Sequence, residues 1–306
     1  MVTPLCCTTM HDFLTVKEVA DLLRIKERKL YDLTSEGVLP VTKVTGKLIF
    51  PRDALMAWLR KNTDYGAELS ALRDHPAVVA GSHDPLLDWA LRASGSELAT
   101  YYDGSADGLK RMNAGQAVAA GIHFHRTPEQ EAGSNANERR ISLDMHHEPV
   151  VLVEWAKRSQ GLIIKPEHEA AIRSIADIAG RRVVFRQEGA GSQDLFQLLL
   201  AEAGFSPGQF TLLPDVARNQ TDLAQSVAQG DADLGFGIAA VARQHKLAFV
   251  PITEERFDLL AWRRDFCGPS LQKLFAFTRT SQFQERAEQL SGYDVSQTGT
   301  IHYNGP

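Results

Sequence analysis

From residue 76 onward the chain alternates short apolar runs with helical patterns, and this alternation limits the possible folds more than any other feature. AVVAG, ELATYY, VAAGIHF, PVVLVEW, GLIIK, RRVVFR, FTLL, ADLGFGI and LAFVPI read as strands; PLLDWALRASG, DGLKRMNAG and QDLFQLLLAEAG between them read as helices. Strands and helices in alternation pack as parallel α/β layers, because each crossover helix covers a face of the sheet. The stretch is long enough for two lobes, the second expected over about residues 155–250.

In such sheets ligands collect beyond the carboxyl ends of the strands, where loops feed helix N-termini. Four of these junctions are small and polar: AGSHDPLLDW with Ser82, YDGSADGLKRM with Ser105, FRQEGAGSQDLF with Ala190, Gly191 and Ser192, and DLGFGIAAVA with Gly237. Singly, each reads as an ordinary serine cap or a glycine turn. Together they present unpaired N–H groups at the positive ends of helices, which attract an anion. The expectation is a compact oxyanion held without a counter-charge, and no cofactor.

Residues 13–62 have a different texture. Thr15 and Glu18 form a capping box before Val16, Val19, Ala20 and Leu23, and a second helix starts near Glu27 and ends at Gly37. VTKV and KLIF around Thr45-Gly46 read as a hairpin, or wing, with Pro51 in the first turn of a third helix over Asp53–Arg60. Two helices, a tight turn and a wing make the geometry of a DNA-reading helix-turn-helix. Arg24, Lys26, Arg28, Lys29 and Tyr31 fall at the turn and on the second helix, and Lys43 and Lys47 flank the wing tip, so these seven are the expected contacts to double-stranded DNA. Net charge is -5, but residues 1–64 carry ten Lys/Arg against eight Asp/Glu, so the basic excess lies at this end. Residues 1–12 read as a flexible tail and 63–75 as a linker, with the ligand-sensing domain at 76–306.

Several chemistries lack their marks. No run approaches the ~20 apolar residues of a membrane span, and the N-terminus has no secretory pattern; a cytoplasmic protein is expected. Cys6, Cys7 and Cys267 make no disulfide framework. GAGSQ lacks the lysine of a P-loop, and neither a G-x-S-x-G elbow nor a paired carboxylate is present, so binding is expected rather than catalysis. His123 and His125, two apart on a strand, would share a face and suit a ligand pair, but no third ligand of fixed spacing accompanies them and no metal is expected. His146 and His147 lie in a charged loop.

Two resemblances add to this reading. LTVKEVADLL, the basic second helix ending in GVLP, the wing and PRDALMAW resemble the winged helix-turn-helix of the MerR and excisionase families. GSHDPLLD, DGSADGLKRM, WAKRSQGLIIKP, RRVVFRQEGAGSQDLF and SVAQGDADLGFGIAAVA resemble the periplasmic-binding-protein-like domain, of type II, found fused to DNA-binding modules, with molybdate- and tungstate-binding proteins among its relatives. The resemblance implies hydroxyl and N–H donors from Ser82 and Ser105, backbone donors from Ala190, Gly191 and Ser192, and closure by Gly237 around a small anion in a homodimeric regulator. Gln193 and Ala190 replace an arginine and a hydroxyl of the family pattern, and Ile238 replaces a tyrosine; with Phe185, these leave a small organic acid as an alternative effector.

Overall fold

The computed structural model describes residues 13–44, 46–62, 74–125, 135–206 and 208–306. The expected tail with Cys6 and Cys7, Thr45 at the wing tip, and residues 63–73 of the expected linker lie outside the described residues. The chain divides into two compact units, Met1–Asp74 and His75–Pro306.

In the first unit, strands β1 (Phe13–Thr15), β2 (Thr42–Val44) and β3 (Lys47–Pro51) form an antiparallel sheet in the order β1-β3-β2. Helices α1 (Val16–Leu23), α2 (Glu27–Ser35) and α3 (Arg52–Asn62) complete it. The capping box forms as the sequence reads: Thr15 Oγ accepts the Glu18 N–H at 3.3 Å, and the Glu18 carboxylate accepts the Thr15 N–H at 2.8 Å. Arg24 ends α1 in the left-handed region (φ 53) and Lys26 caps α2, which makes the turn tight. Leu14, Val19, Ala20, Leu30, Leu39, Phe50 and Leu55 fill the core. Pro51 is not in the helix as expected. β1 extends the wing into a third strand, so β3 runs on until Pro51 lies opposite Phe13, at a sheet end where a missing N–H costs little.

The second unit is built on one sheet in the order β5-β4-β6-β11-β7-β10-β8-β9. Its first lobe holds the parallel strands β4 (Val78–Gly81), β5 (Ala99–Tyr102) and β6 (Ala119–Ile122), with helices α4 (Pro85–Ala93), α5 (Ser105–Asn113) and α6 (Ala136–Asp144). Strands β8 (Arg182–Val184), β9 (Thr211–Leu212) and β10 (Leu234–Ile238), with α7 (Gly191–Glu202), α8 (Gln220–Gln229) and α9 (Ala239–Gln244), make the second. Each lobe has its own core, around Leu109, Met112, Ile122 and Leu152 in the first and around Ile178, Phe196, Leu234 and Phe236 in the second.

Two strands of 15 residues, β7 (Val150–Ile164) and β11 (Ala248–Trp262), run antiparallel through both lobes. At about 3.3 Å per residue each spans roughly 50 Å. The sequence reading divides β7 into PVVLVEW and GLIIK and ends β11 after LAFVPI, because the polar middles look like loops. They are strand because Arg158 and Glu255 stand opposite each other in the ladder and satisfy one another. After β11 the chain returns to the first lobe through α10 (Arg263–Phe266), α11 (Pro269–Phe277) and α12 (Ser281–Leu290), whose Leu271, Leu274 and Phe283 join the core with Leu86, Leu87 and Ala90. Strands β12 (Tyr293–Asp294) and β13 (Ile301–Asn304) then pair with the first-lobe half of β7. His75, which opens this unit, stacks on Trp262 with ring centroids 4.6 Å apart and hydrogen-bonds Asp265 at 2.6 Å.

At Gly161 the two long strands approach so closely that a Cβ would overlap the Val250 carbonyl oxygen and lie 3.0 Å from the Phe249 ring. Because the obstacle is backbone, Gly161→Ala is expected to lower stability by about 1 to 3 kcal/mol, read as a lower urea midpoint at unchanged m-value.

Candidate functional site

Between the lobes of the second unit lies a cavity of about 40 Å³, room for a few waters or one compact ion. Ser82, His83, Tyr102, Asp103, Gly104 and His123 line it from the first lobe, and Arg158 from β7. Arg186, Ala190, Gly191, Ser192, Arg218, Asn219 and Gln220 line it from the second. The lobes touch at its rim: Gln187 Nε2 donates to Asp103 Oδ1 at 3.0 Å, and a Cβ on Gly191 would lie 2.6 Å from the His123 carbonyl oxygen. Only glycine permits that approach.

Ser82, Ala190, Gly191 and Ser192, four of the six residues expected at the ligand, are brought together here. Their donor roles are narrower than expected. The Ser82 N–H is committed to the Gly121 carbonyl at 2.8 Å, so its hydroxyl alone is available, and the Ala190 N–H is taken up by the Gln187 carbonyl at 3.2 Å. Ser105 is buried one layer behind, absent from the cavity wall. Its hydroxyl bonds Ser82 Oγ at 2.8 Å and accepts the His123 N–H at 3.0 Å, so it aims Ser82. Gly237 is also off the wall; a Cβ there would overlap Gln220 Oε1, so the glycine leaves room for the Gln220 side chain, which does line the cavity. In its place the start of α8 joins the cavity wall, capped by Asn219 through the Asp222 N–H at 2.8 Å. The polar stretch before that helix, DVARNQTDL, was its signal. Phe185 and Ile238 belong to hydrophobic cores rather than to the cavity.

The expectation of an anion site without counter-charge is also revised, because two arginines line the cavity from the second lobe. Arg186 donates to the carbonyls of Ala217 (3.2 Å) and Arg218 (3.0 Å). Burial, offset in part by Asp222, lowers its pKa to about 10. Arg218 lines the mouth, exposed. Among the described residues no ion pair joins either group to a carboxylate. A buried cation without a partner pays desolvation that a bound anion would offset.

Beneath the floor lies a buried ionic network. Arg158 Nη1 donates to Asp84 Oδ2 at 3.0 Å, Nη2 donates to Glu255 Oε1, and the guanidinium stacks over Phe257 with its carbon 4.2 Å from the ring centre. Asp84 also accepts from the Leu87 N–H (2.7 Å), Trp155 Nε1 (3.3 Å) and the Tyr293 hydroxyl (2.7 Å). Burial opposes the charge on Glu255, but Arg158 and then His123 more than offset it and hold the carboxyl well below its usual range. Burial likewise holds His123 and His83 below the usual imidazole value.

His123 and His125 follow β6, which ends at Ile122, instead of lying on the strand. They still converge: His123 Nδ1 lies 2.8 Å and His125 Nε2 3.3 Å from the same Glu255 Oε2. Asn137 fixes this segment by accepting the Phe124 N–H at 2.6 Å and donating to Asp258 Oδ2 at 2.8 Å. Burial raises the Asp258 pKa to about 6, against the opposing pull of Arg256 and Asn137. A carboxyl whose folded pKa is raised binds its proton more tightly in the folded chain. Its contribution to stability is therefore greatest below the unfolded value near 3.8 and is lost as pH rises through about 6. NMR titration of the Asp258 carboxyl carbon should show a midpoint near 6, and Asp258→Asn should flatten the fall in stability between those two values.

In the first unit all seven residues expected at DNA, Arg24, Lys26, Arg28, Lys29, Tyr31, Lys43 and Lys47, have exposed side chains. Helical spacing sets Arg28 opposite the buried Leu30, with Tyr31 to one side of it.

Comparison with known proteins agrees with both units. A family model for a PBP superfamily domain matches residues 89–279, and one for a helix-turn-helix domain matches residues 13–63. The uncharacterized protein YvgK of Bacillus subtilis (strain 168) is 22% identical over 303 residues, covering 94% of this chain and 96% of that protein. An uncharacterized protein in the 5' region of a 2Fe-2S ferredoxin gene of Clostridium pasteurianum is 35% identical over 80 residues, 26% of this chain and 71% of that protein. Among solved structures, an H2O2-bound OxyR C206S mutant from Corynebacterium glutamicum superposes with a TM-score of 0.51 at 13% identity, covering 90% of each chain. A structure named as a phosphate ABC transporter substrate-binding protein with bound phosphate, from Clostridium perfringens, gives 0.50 at 13% identity over 73% of this chain and 98% of that one. At these identities the likeness is one of fold. The two-lobed α/β unit with its two crossing strands and the match over residues 89–279 identify the chain as a member of the PBP superfamily that carries an N-terminal helix-turn-helix domain.

Proposed function

We propose that the chain is a one-component transcriptional regulator of the cytoplasm, a homodimer whose helix-turn-helix units bind double-stranded DNA and whose cleft closes on a small oxyanion, molybdate or tungstate, as effector. The observation that carries this reading is the pair Arg186 and Arg218 at a small cavity already furnished with the Ser82 and Ser192 hydroxyls and the first turn of α7. Two cations, with the Ser82 and Ser192 hydroxyls, around about 40 Å³ suit a compact dianion, and the one carboxylate of the wall, Asp103, accepts from Gln187. A small organic acid, the alternative, would need more room and an apolar wall. The anion acts by preferring the closed arrangement, since a ligand shifts an equilibrium only by its differential affinity. We assign no catalytic step: the buried carboxylates beneath the floor, Asp84 and Glu255, are both engaged by Arg158.

Calorimetry with molybdate, tungstate, phosphate, sulfate and small carboxylates tests the effector. Arg218→Ala and Ser82→Ala should each cost about 1.5 to 3 kcal/mol, roughly 10- to 100-fold in Kd. Absence of binding by every anion would refute the reading.

For the other unit, Lys29→Ala should weaken DNA binding across sequences and reduce the salt dependence by about one phosphate contact. A protein that binds the anion but no DNA would instead be an anion-binding protein of molybdenum-cofactor metabolism, its first unit a docking module.

A further inference from the structure

A second chemistry is assembled beside the anion cavity. His123 and His125 arrive from the segment after β6, and Glu255 from the middle of β11, 132 residues from His123 in sequence. Their three candidate ligand atoms all lie within 4.8 Å of one another, the one such group of three among the described residues. We propose that His123, His125 and Glu255 bind a single divalent transition-metal ion of the borderline class, with Zn2+ as the reference case.

The separations are close to those of such a site. Ligand atoms about 2.0 to 2.1 Å from a tetrahedral zinc stand roughly 3.3 Å apart, and Glu255 Oε2 is 3.3 Å from His125 Nε2 and, at hydrogen-bond distance, 2.8 Å from His123 Nδ1, so this second pair must open by about half an ångström on binding. Two imidazoles and one carboxylate are a donor set suited to Zn2+ and its first-row neighbours.

The hydrogen bonding of the apo arrangement is incomplete. His125 Nε2 is closed off from solvent without a well-directed hydrogen bond, although it faces a carboxylate oxygen that His123 already occupies. An ion between the three would satisfy all of them at once.

The supporting layer is also that of a metal site, in which ligands are themselves held by hydrogen bonds. The second oxygen of Glu255 is fixed by Arg158, and Asn137 pins the backbone between the histidines. Charge permits a cation: Asp84 and Glu255 carry two negative charges against the single positive charge of Arg158. His123 also lines the anion cavity, so the ion would add positive potential to that wall.

The full-length protein, stripped with a chelator and returned to chelator-free, anion-poor buffer, is titrated with ZnCl2 and CoCl2. The expected result is one ion per chain by equilibrium dialysis, a rise in unfolding temperature with Zn2+, and visible Co2+ absorption of low-coordinate type. His125→Gln, at the more exposed ligand, should weaken Zn2+ binding at least about 10-fold while circular dichroism stays native; Glu255→Gln should do the same if it folds. His146→Gln with His147→Gln, at the exposed histidine pair, should leave binding unchanged. No stoichiometric Zn2+ uptake at micromolar concentration, undiminished uptake by His125→Gln, or loss through the His146 and His147 changes would each overturn the proposal. Anion affinity is measured on the zinc-free protein, so failure of the metal site leaves the effector reading standing.

Discussion

The second unit depends on the burial of Arg158. It sits midway along a strand that belongs to both lobes, 3% exposed, with Asp84 on one side and Glu255 on the other. Desolvating three charges costs several kcal/mol per ion, and the cost is met only when geometry and further hydrogen bonds are good. Here Asp84 takes four donors and the guanidinium has an aromatic face beneath it. Such a cluster adds little net stability over an apolar core, but it fixes register. Arg158 and Glu255 are partners in the β7–β11 ladder, so any slip between these strands would leave a buried charge unpaired.

That register in turn sets the site. Glu255 holds His123, His123 is held at its backbone by Ser105, and Ser105 aims the Ser82 hydroxyl into the cavity. The chain of contacts runs from the crossing strands to the cavity surface without interruption. It places the first-lobe donors before any ligand arrives, which reduces the ordering cost of binding.

Much of this was legible in the sequence, for identifiable reasons. Strand-helix alternation is a local pattern, and it yields the α/β class and the glycine-serine loop at the start of α7. The capping box at Thr15 and the wing are equally local. Arg158, Glu255 and Arg218 were hidden because their roles come from cross-strand and cross-lobe neighbours far away in sequence. A charged stretch such as KRS in the middle of a long strand reads as a loop until its partner strand is known. Gly237 carries a signal of another kind, since its missing side chain makes room for Gln220, a neighbour on α8 that local pattern does not reveal.

The docking of His75 against Trp262 and Asp265 gives the crossing strand β11 a mechanical consequence. One end of that strand lies in the second lobe, and the other ends at the indole on which the first residue of the unit rests. Any rotation of the lobes would twist a strand that is continuous between them and that ends against the residue with which the unit begins. The cleft and the first residue of the unit are thus joined by one strand, whose middle is held by the buried guanidinium.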